Sequence, residues 1–284
     1  ARHVACAWGG GMNVRIFNGE TPVDAVPADD RGLAYGDGLF ETMRVHAGSV
    51  PLWSRHYERL HRGAQRLTLP MPRMSIVEAQ IDELIHGCDA GVLKLLATRG
   101  AGGRGYAPAS DPTPTWLLAL HPLPAVPTHG LRLHWCETRL AVQPRLAGIK
   151  HCNRLEQVLA RAECGQAGCD EGLMCSTQSE VVCATAANLL VLRDGVWLTP
   201  PVEACGVAGV CRGWLLEQGL VEVAALTPRQ VESAQSLALC NAVRGILPVA
   251  ALADCEWPAH AAVAELQAHL AEAFTMFQLT QEIA

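Results

Sequence analysis

The stretch at residues 146–159 reads LAGIKHCNRLEQVL and contains Lys150, one of only two lysines in the 284-residue chain. The remaining positive charge is carried by arginine, which cannot replace lysine where a nucleophilic, deprotonatable amine is required. Lys150 follows an apolar-glycine turn and precedes a helix that we predict over 154–167. The dipole at a helix start disfavours a cation, which favours a neutral, reactive amine. A solvent-facing lysine is the commoner alternative, but the pattern suits Schiff-base chemistry.

The composition is that of an ordinary globular protein. Half of the residues are apolar, 18% are charged, and the formal net charge is −6. Acidic balance with scattered arginines argues against a nucleic-acid groove or a basic membrane face. No run approaches the roughly 20 apolar residues of a membrane span, and the first residues lack the features of a secretion signal. We therefore expect a cytoplasmic protein that binds neither nucleic acid nor membrane.

The 12 cysteines do not indicate a disulfide framework or a zinc site. They include no CxxC pair, and no histidine stands at finger-like spacing. Many lie in apolar runs, such as Cys183 in VVCATAANLLVL, where a free thiol behaves as a small hydrophobe. We expect reduced thiols and no metal.

The order of elements along the chain predicts two α/β domains. Residues 1–11 would be an extension outside the fold, and 12–122 an N-terminal α/β domain. A proline-rich linker would follow at 123–129, with a second α/β domain over 130–284.

Local patterns predict several individual elements. We expect strands on both sides of the Ala-Gly-Ser turn at 47–49, then a helix capped by Ser54. Its apolar stripe would comprise Tyr57, Leu60, Ala64 and Leu67, and Arg59 would lie off that stripe. Continuous apolar strands are predicted over 181–192 and 236–250.

Three features together could hold an anionic aldehyde. The segment GVAGVCR at 206–212 places two glycines before a predicted helix, whose backbone N–H groups could bind phosphate. A tight packing turn is an equally common reason for such a loop, and Arg59 alone could be a solvated arginine. Taken with the amine of Lys150, the loop and the arginine suit pyridoxal phosphate.

The chain resembles the class IV pyridoxal-phosphate enzymes, the group of branched-chain and D-amino-acid aminotransferases, and within that group the 4-amino-4-deoxychorismate lyases. The resemblance implies a two-domain, mixed α/β (α+β) fold of type IV, pyridoxal 5'-phosphate as cofactor, and a homodimer with active sites near its interface. Its carriers are DRGLAYGDGLFETMRV (30–45), RHYERL (55–60), GVLKLLATRGAGGRGY (91–106), LAGIKHCNRLEQVL (146–159), AANL (186–189), GVAGVCR (206–212) and CNAVRGILPV (240–249).

The resemblance implies roles in catalysis and cofactor binding. Lys150 would form the Schiff base with the cofactor and shuttle protons. Arg59 would hold the phosphate together with the backbone N–H groups of Val210 and Cys211. Thr42 would be a second catalytic group, a hydroxyl that faces the substrate.

The resemblance also implies a pocket for a dianionic substrate. Lys94 and Arg104 would approach each other and meet its carboxylates. Asn241 and Arg244 are further candidates for the pocket, and Tyr35 would line it.

One position departs from the family pattern. The class usually places a glutamate five residues before the asparagine that is Asn188 here, where it pairs with the pyridine nitrogen, but this chain has Cys183. Either a bulge re-aims the nearby Glu180, or Cys183 itself stands beside the nitrogen, which we favour. A thiol would not hold the nitrogen protonated, which harms transamination more than an elimination driven by aromatisation.

The implied function is a lyase that converts 4-amino-4-deoxychorismate to 4-aminobenzoate and pyruvate in folate biosynthesis. One alternative is a D-amino-acid or branched-chain aminotransferase that uses the same cofactor site. A second alternative is a non-catalytic family member that serves as a binding subunit.

Overall fold

The computed structural model describes residues 13–278, and the predicted extension at 1–11 lies outside them. The chain divides into two compact units. The first contains the residues up to Leu123 together with 149–153, and the second contains 124–148 and the residues from Arg154 onward. The segment that carries Lys150 therefore belongs to the first unit, whereas the sequence analysis placed it in the C-terminal domain. The segment belongs to the first unit because its residue His151 forms an antiparallel bridge with Leu39, which lies in a strand of that unit.

The first unit is an antiparallel sheet with helices. Its strands follow the order β2-β1-β5-β4-β3. The elements are β1 (Asn13–Asn18), β2 (Thr21–Val23), α1 (Arg31–Tyr35), β3 (Gly38–His46), α2 (Trp53–Leu67), α3 (Met74–Ile85), β4 (Ala90–Thr98) and β5 (Thr115–His121).

Strand β3 alternates between a buried face and a half-buried face. Leu39, Met43 and Val45 are buried in the core, while Phe40 and Thr42 are only half-buried. This alternation is expected of a strand whose successive side chains point to opposite sides of the sheet. One face of β3 is thus available for chemistry.

Two local predictions near β3 are wrong. After the turn at 47–49 the chain enters α2 at Trp53 rather than a second strand. Leu52, not Ser54, occupies the N-cap, and no side chain caps the helix there. The helix starts two residues earlier than the capping pattern predicted, so Ser54 lies within its first turn.

The second unit is built on a mixed nine-stranded sheet. Eight strands follow the order β11-β10-β9-β12-β13-β6-β7-β8, and β14 pairs with β13. The elements are β6 (Leu131–Trp135), α4 (Leu155–Ala167), β7 (Glu171–Cys175), β8 (Val181–Ala184), β9 (Asn188–Arg193), β10 (Val196–Thr199), α5 (Val210–Glu217), β11 (Glu222–Val223), α6 (Pro228–Glu232), β12 (Ser236–Asn241), β13 (Gly245–Leu252), β14 (Cys255–Glu256), α7 (Ala261–Ala273) and a 3₁₀ turn (Thr275–Phe277).

Each of the two long apolar runs forms two strands rather than one. The run at 181–192 is interrupted between β8 and β9, and the run at 236–250 folds back as the antiparallel pair β12 and β13. The interruptions are only three residues long and contain few polar side chains, Thr185 in the first and Arg244 in the second, so the apolar pattern was taken as continuous. Within 13–278, no helix is long and apolar enough to cross a membrane.

Candidate active site

Lys150 lies in an extended segment that continues the first unit's sheet beside β3. Phe40 N–H donates to the Lys150 carbonyl at 2.9 Å, and Cys152 N–H donates to the Gly38 carbonyl at 2.9 Å. The Lys150 Nζ atom lies 4.3 Å from the centroid of the Phe40 ring. Helix α4 begins at Leu155, so the predicted influence of a helix start does not apply, because it fades within the first turn. Pairing with β3 sets the surroundings of this amine instead.

The second lysine lies on the same strand pair. Lys94 is directly opposite Thr42 in the register of β3 with β4, so both side chains are on one face of the sheet. The Lys94 Nζ atom is 5.6 Å from the centroid of the Phe40 ring. The first unit therefore brings together Thr42, Lys94 and Lys150, three of the residues for which the resemblance implied roles.

Arg59 is buried, and its predicted position on α2 was wrong. It donates from Nε to Glu41 Oε1 at 2.9 Å and from Nη2 to Glu41 Oε2. His56 Nδ1 lies 2.6 Å from the same Oε2 atom. The buried face of α2 consists of His56, Arg59, Leu60, Gly63 and Ala64. Arg59 can lie on this face because a carboxylate on the adjacent strand supplies the opposite charge.

The charge states in this cluster follow from burial and proximity. Burial raises the pKa of the Glu41 carboxyl, but the Arg59 charge and the hydrogen bonds from His56 and Arg59 outweigh it and lower the pKa to about 2. Burial lowers the pKa of His56, and the charges of Arg59 and Lys150 act in the same direction against the attraction of Glu41. Glu41 is therefore ionised and His56 neutral, with Nδ1–H as the donor. The guanidinium of Arg59 is consequently fixed in one orientation.

Arg31 organises the glycine-rich loop that follows β4. Its Nη1 and Nη2 atoms donate to the carbonyls of Gly105 at 3.0 Å and Tyr106 at 2.8 Å. Its Nε atom donates to Asp37 at 3.0 Å, and Asp37 also accepts from Arg99 Nε at 2.7 Å and Nη2 at 3.1 Å. The Asp37 carboxylate thus links Arg31, which binds the loop, to Arg99, which directly follows β4 at the start of the loop.

The predicted substrate residues Tyr35 and Arg104 are associated with this loop. The Tyr35 ring lies 5.5 Å from the Tyr106 ring, and the Arg31 guanidinium carbon lies 4.9 Å from the Tyr35 centroid. Arg104 is exposed in the loop, while Lys94 is half-buried inside β4. The expected meeting of Arg104 and Lys94 at one anion stays a prediction.

In the second unit, a glycine loop leads into α5. Gly206 has a φ of 89°, a conformation that favours glycine. A Cβ at Gly209 would collide with Asn188 Oδ1. Asn188 Nδ2 donates to the Val207 carbonyl at 3.0 Å and thereby fixes the loop. This places the predicted residue Asn188 against the loop that was expected to hold phosphate.

The first turn of α5 presents backbone donors. Gly209 is the N-cap and has no side chain that could cap the helix. The N–H groups of Val210 and Cys211 are not used within the helix, as at every helix start, and suit an anion. A hydrogen bond with Cys240 and burial raise the pKa of the Cys211 thiol, so this residue would serve an anion through its backbone only.

Cys183 is buried in β8 and borders the same loop. A Cβ built at Gly206 would lie 3.9 Å from Cys183 Sγ. The pairing of β7 with β8 is irregular between Met174 and Cys175, but Glu180 precedes β8 and is exposed. That Cys183 rather than Glu180 stands beside the pyridine nitrogen stays a prediction.

Asn241 is the last residue of β12, and Arg244 lies in the turn that leads to β13. Asn241 Oδ1 accepts from the N–H groups of Val243 at 3.0 Å and Arg244 at 2.8 Å. An asparagine that bonds the backbone two and three residues on stabilises such a turn. The structure thus gives Asn241 a local role in the turn, and contact of either residue with substrate stays a prediction.

Comparison with known proteins identifies the family. The profile of amino-transferase class IV matches residues 38–252. The chain belongs to this family. The aminodeoxychorismate lyase of Vibrio harveyi is 35% identical over 245 residues, which cover 83% of this chain and 90% of that protein.

Solved structures of class IV proteins share this fold. The crystal structure of 4-amino-4-deoxychorismate lyase from Pseudomonas aeruginosa is 42% identical, with a TM-score of 0.84 over 90% of this chain and 98% of that one. The branched-chain amino acid aminotransferase of Escherichia coli matches with a TM-score of 0.77 at 20% identity, over 94% and 97% of the two chains. The predicted mixed α/β fold of type IV is confirmed.

The class IV family depends on pyridoxal phosphate, and the residues present are compatible with it. The aldehyde of the cofactor requires an amine with which it can form a Schiff base, and Lys150 offers one. In the first unit, the guanidinium of Arg59 suits a phosphate. In the second unit, the backbone N–H groups at the start of α5 suit a phosphate too, and the glycine at position 209 leaves room for the Asn188 side chain that fixes the loop. Within the described ranges, no group of three or more histidine, cysteine or acidic side chains could hold a metal ion.

Sequence reasoning missed three residues in these clusters. Glu41 and His56 fix Arg59, and Phe40 lies against both lysines. Phe40 and Glu41 are neighbours in the segment FETMR. The alternation of side chains along a strand could have shown that they lie on opposite faces of the sheet. An acidic residue at a core-facing strand position requires a buried counter-charge.

We expect Glu41→Gln to weaken the fold. The substitution leaves Arg59 buried without its charge partner, and breaking a buried pair costs on the order of 3 kcal/mol. The stabilisation from a carboxyl whose pKa is about 2 instead of 4.5 is complete above pH 4.5 and is lost as the pH falls through about 2, because only the unfolded state binds the proton in that window. Urea unfolding of wild type and variant from pH 7 to 3 measures both effects.

Glu20→Gln is the matched control. Glu20 forms an ion pair with Arg73 in which both side chains are largely exposed, so its loss should change the unfolding free energy little. Equal effects of Glu20→Gln and Glu41→Gln, or an unchanged acid dependence in Glu41→Gln, would contradict the assignment.

Proposed function

We propose that this protein is a pyridoxal-phosphate-dependent lyase that converts 4-amino-4-deoxychorismate into 4-aminobenzoate and pyruvate. The observation that carries the proposal is the arrangement on β3 and β4. Lys150, Lys94 and Thr42 share the surroundings of Phe40, which places an amine, a second cation and a hydroxyl together. The identities of 35% and 42% to the two lyases support the same choice.

Lys150 would perform the proton transfers. Bound pyridoxal phosphate would draw electron density away from the amine-bearing carbon of the substrate. The amine of Lys150 would take the proton from that carbon. The bond between the ring carbon and the enolpyruvyl oxygen then breaks, and the ring becomes aromatic. Lys150 or Thr42 would return a proton to the departing enolpyruvate, which leaves as pyruvate, so the products together contain all atoms of the substrate.

The remaining residues would bind and orient. The candidates for binding the phosphate are Arg59 in the first unit and the backbone N–H groups of Val210 and Cys211 in the second unit. Lys94 and Arg104 would meet the substrate carboxylates, which cations suit best.

We also propose that the protein acts as a homodimer. Helix α4 carries Leu155, Val158 and Leu159 at 76%, 61% and 58% exposure. These residues follow a three- and four-residue spacing and therefore form one apolar stripe. Such a stripe on the surface supports association with a second copy.

The proposal predicts that Lys150 is essential. Purified protein should release 4-aminobenzoate, followed by its fluorescence, when aminodeoxychorismate is made in situ by its synthase. Lys150→Ala should lower the rate by at least about 10³-fold, because both the covalent amine and the proton acceptor are lost. Lys94→Gln should act mainly on KM. Wild type that forms no 4-aminobenzoate, or Lys150→Ala with an undiminished rate, would contradict the proposal.

Cys183 separates the lyase from an aminotransferase. A carboxylate at this position would hold the pyridine nitrogen protonated, which transamination needs more than elimination does. We expect Cys183→Glu to speed the half-reaction with amino acids by about ten-fold, equal to about 1.4 kcal/mol in the barrier, with a smaller change in 4-aminobenzoate formation. Cys183→Ser is the control and should leave the half-reaction slow. A fast half-reaction in the wild type would favour the aminotransferase.

A further inference from the structure

Both lysines of this chain lie against a single aromatic ring. The Nζ atoms of Lys150 and Lys94 are 4.3 Å and 5.6 Å from the centroid of Phe40. Both distances fall inside the range of about 6 Å at which a ring face attracts a cation. By these distances the two Nζ atoms are no more than about 10 Å apart. Two like charges thus share one small, half-buried region.

Backbone pairing on both sides of β3 produces this arrangement. On one side, Phe40 N–H donates to the Lys150 carbonyl. On the other side, Phe40 pairs with Leu96 and Thr42 pairs with Lys94, so Lys94 is a diagonal neighbour of Phe40. Diagonal neighbours on one face of a sheet are within reach of aromatic and long side chains. The register of three adjacent segments therefore brings the ring within reach of both lysines.

We propose that Phe40 is a positioning residue that holds the amines of Lys150 and Lys94 in place through its ring face. The chemical roles of the two amines rest on the proposed function, whereas their position beside the ring does not. With the ring present, each ammonium gains attraction and loses freedom of rotation. Without it, both amines lose the same partner at once, so a change at position 40 alters two lysines that are 56 positions apart in sequence.

Lysine acylation tests this arrangement directly. The full-length protein without cofactor is treated with trace acetic anhydride at pH 8, and the rate at each lysine is read by peptide mass. The two lysines fall in different peptides, so each amine is resolved. In Phe40→Leu, the loss of the attraction that favours the protonated form should raise both rates by roughly two- to five-fold. Phe40→Tyr keeps a ring and should stay close to wild type.

Two further variants control for changes in the fold. Met43→Leu changes a fully buried side chain on the opposite face of β3 at nearly constant volume and should leave both rates unchanged. Phe40→Met gives a second ring-free side chain if Phe40→Leu does not fold. Unchanged rates in both ring-free variants, a rise at one lysine only, or equal behaviour of Phe40→Tyr and Phe40→Leu would overturn the proposal.

Activity measurements separate this inference from the proposed function. If wild type forms no 4-aminobenzoate, the proposed function fails, while the acylation rates still decide the role of Phe40. If wild type is active, Phe40→Leu should lower kcat and raise KM together, because one amine performs proton transfer and the other meets the substrate. Lys94→Gln should raise KM with a smaller effect on kcat, and an identical pattern in Phe40→Leu would contradict control of both amines by the ring.

Discussion

The buried ion pair of Glu41 with Arg59 is the interaction on which the arrangement of the first unit depends. It joins β3 to α2 through two hydrogen bonds from one guanidinium, and His56 completes the coordination of the carboxylate. Charges in such a place are tolerated only as a matched set, because either partner alone would be buried without compensation. The pair therefore fixes the orientation of Arg59 and the position of β3 against its helix at the same time.

Strand β3 separates structural from chemical residues by simple alternation. Its odd-numbered positions pack against α2, and its even-numbered positions carry Phe40 and Thr42 beside the two lysines. Successive side chains of a strand point to opposite faces of the sheet. The ion pair that anchors β3 through Glu41 on one face therefore also fixes the position of Phe40 and Thr42 on the other. In the second unit, Asn188 has a comparable role, since its side chain fixes the glycine loop ahead of α5.

Sequence patterns predicted the fold type and the family because short motifs carried the chemistry. They failed where the position of a residue depends on a contact with another strand or helix. Arg59 was placed off the buried stripe because α2 was considered without Glu41, and the surroundings of Lys150 were assigned to a helix start although pairing with β3 determines them. The turn between β12 and β13 was also missed, although Asn241 and Gly245, which has a φ of 72°, close it. The exposure of Glu180 likewise required the strand ends to be known.

The central claim is that the amine of Lys150 carries the cofactor. Reduction of the protein with borohydride after addition of pyridoxal 5'-phosphate, followed by peptide mass mapping, tests this claim most directly, because the chain has only two lysines. We expect the reduced cofactor on the peptide that contains Lys150, with Lys94 unmodified. Modification at Lys94 alone, or a protein that binds the cofactor without any modification at Lys150, would contradict it.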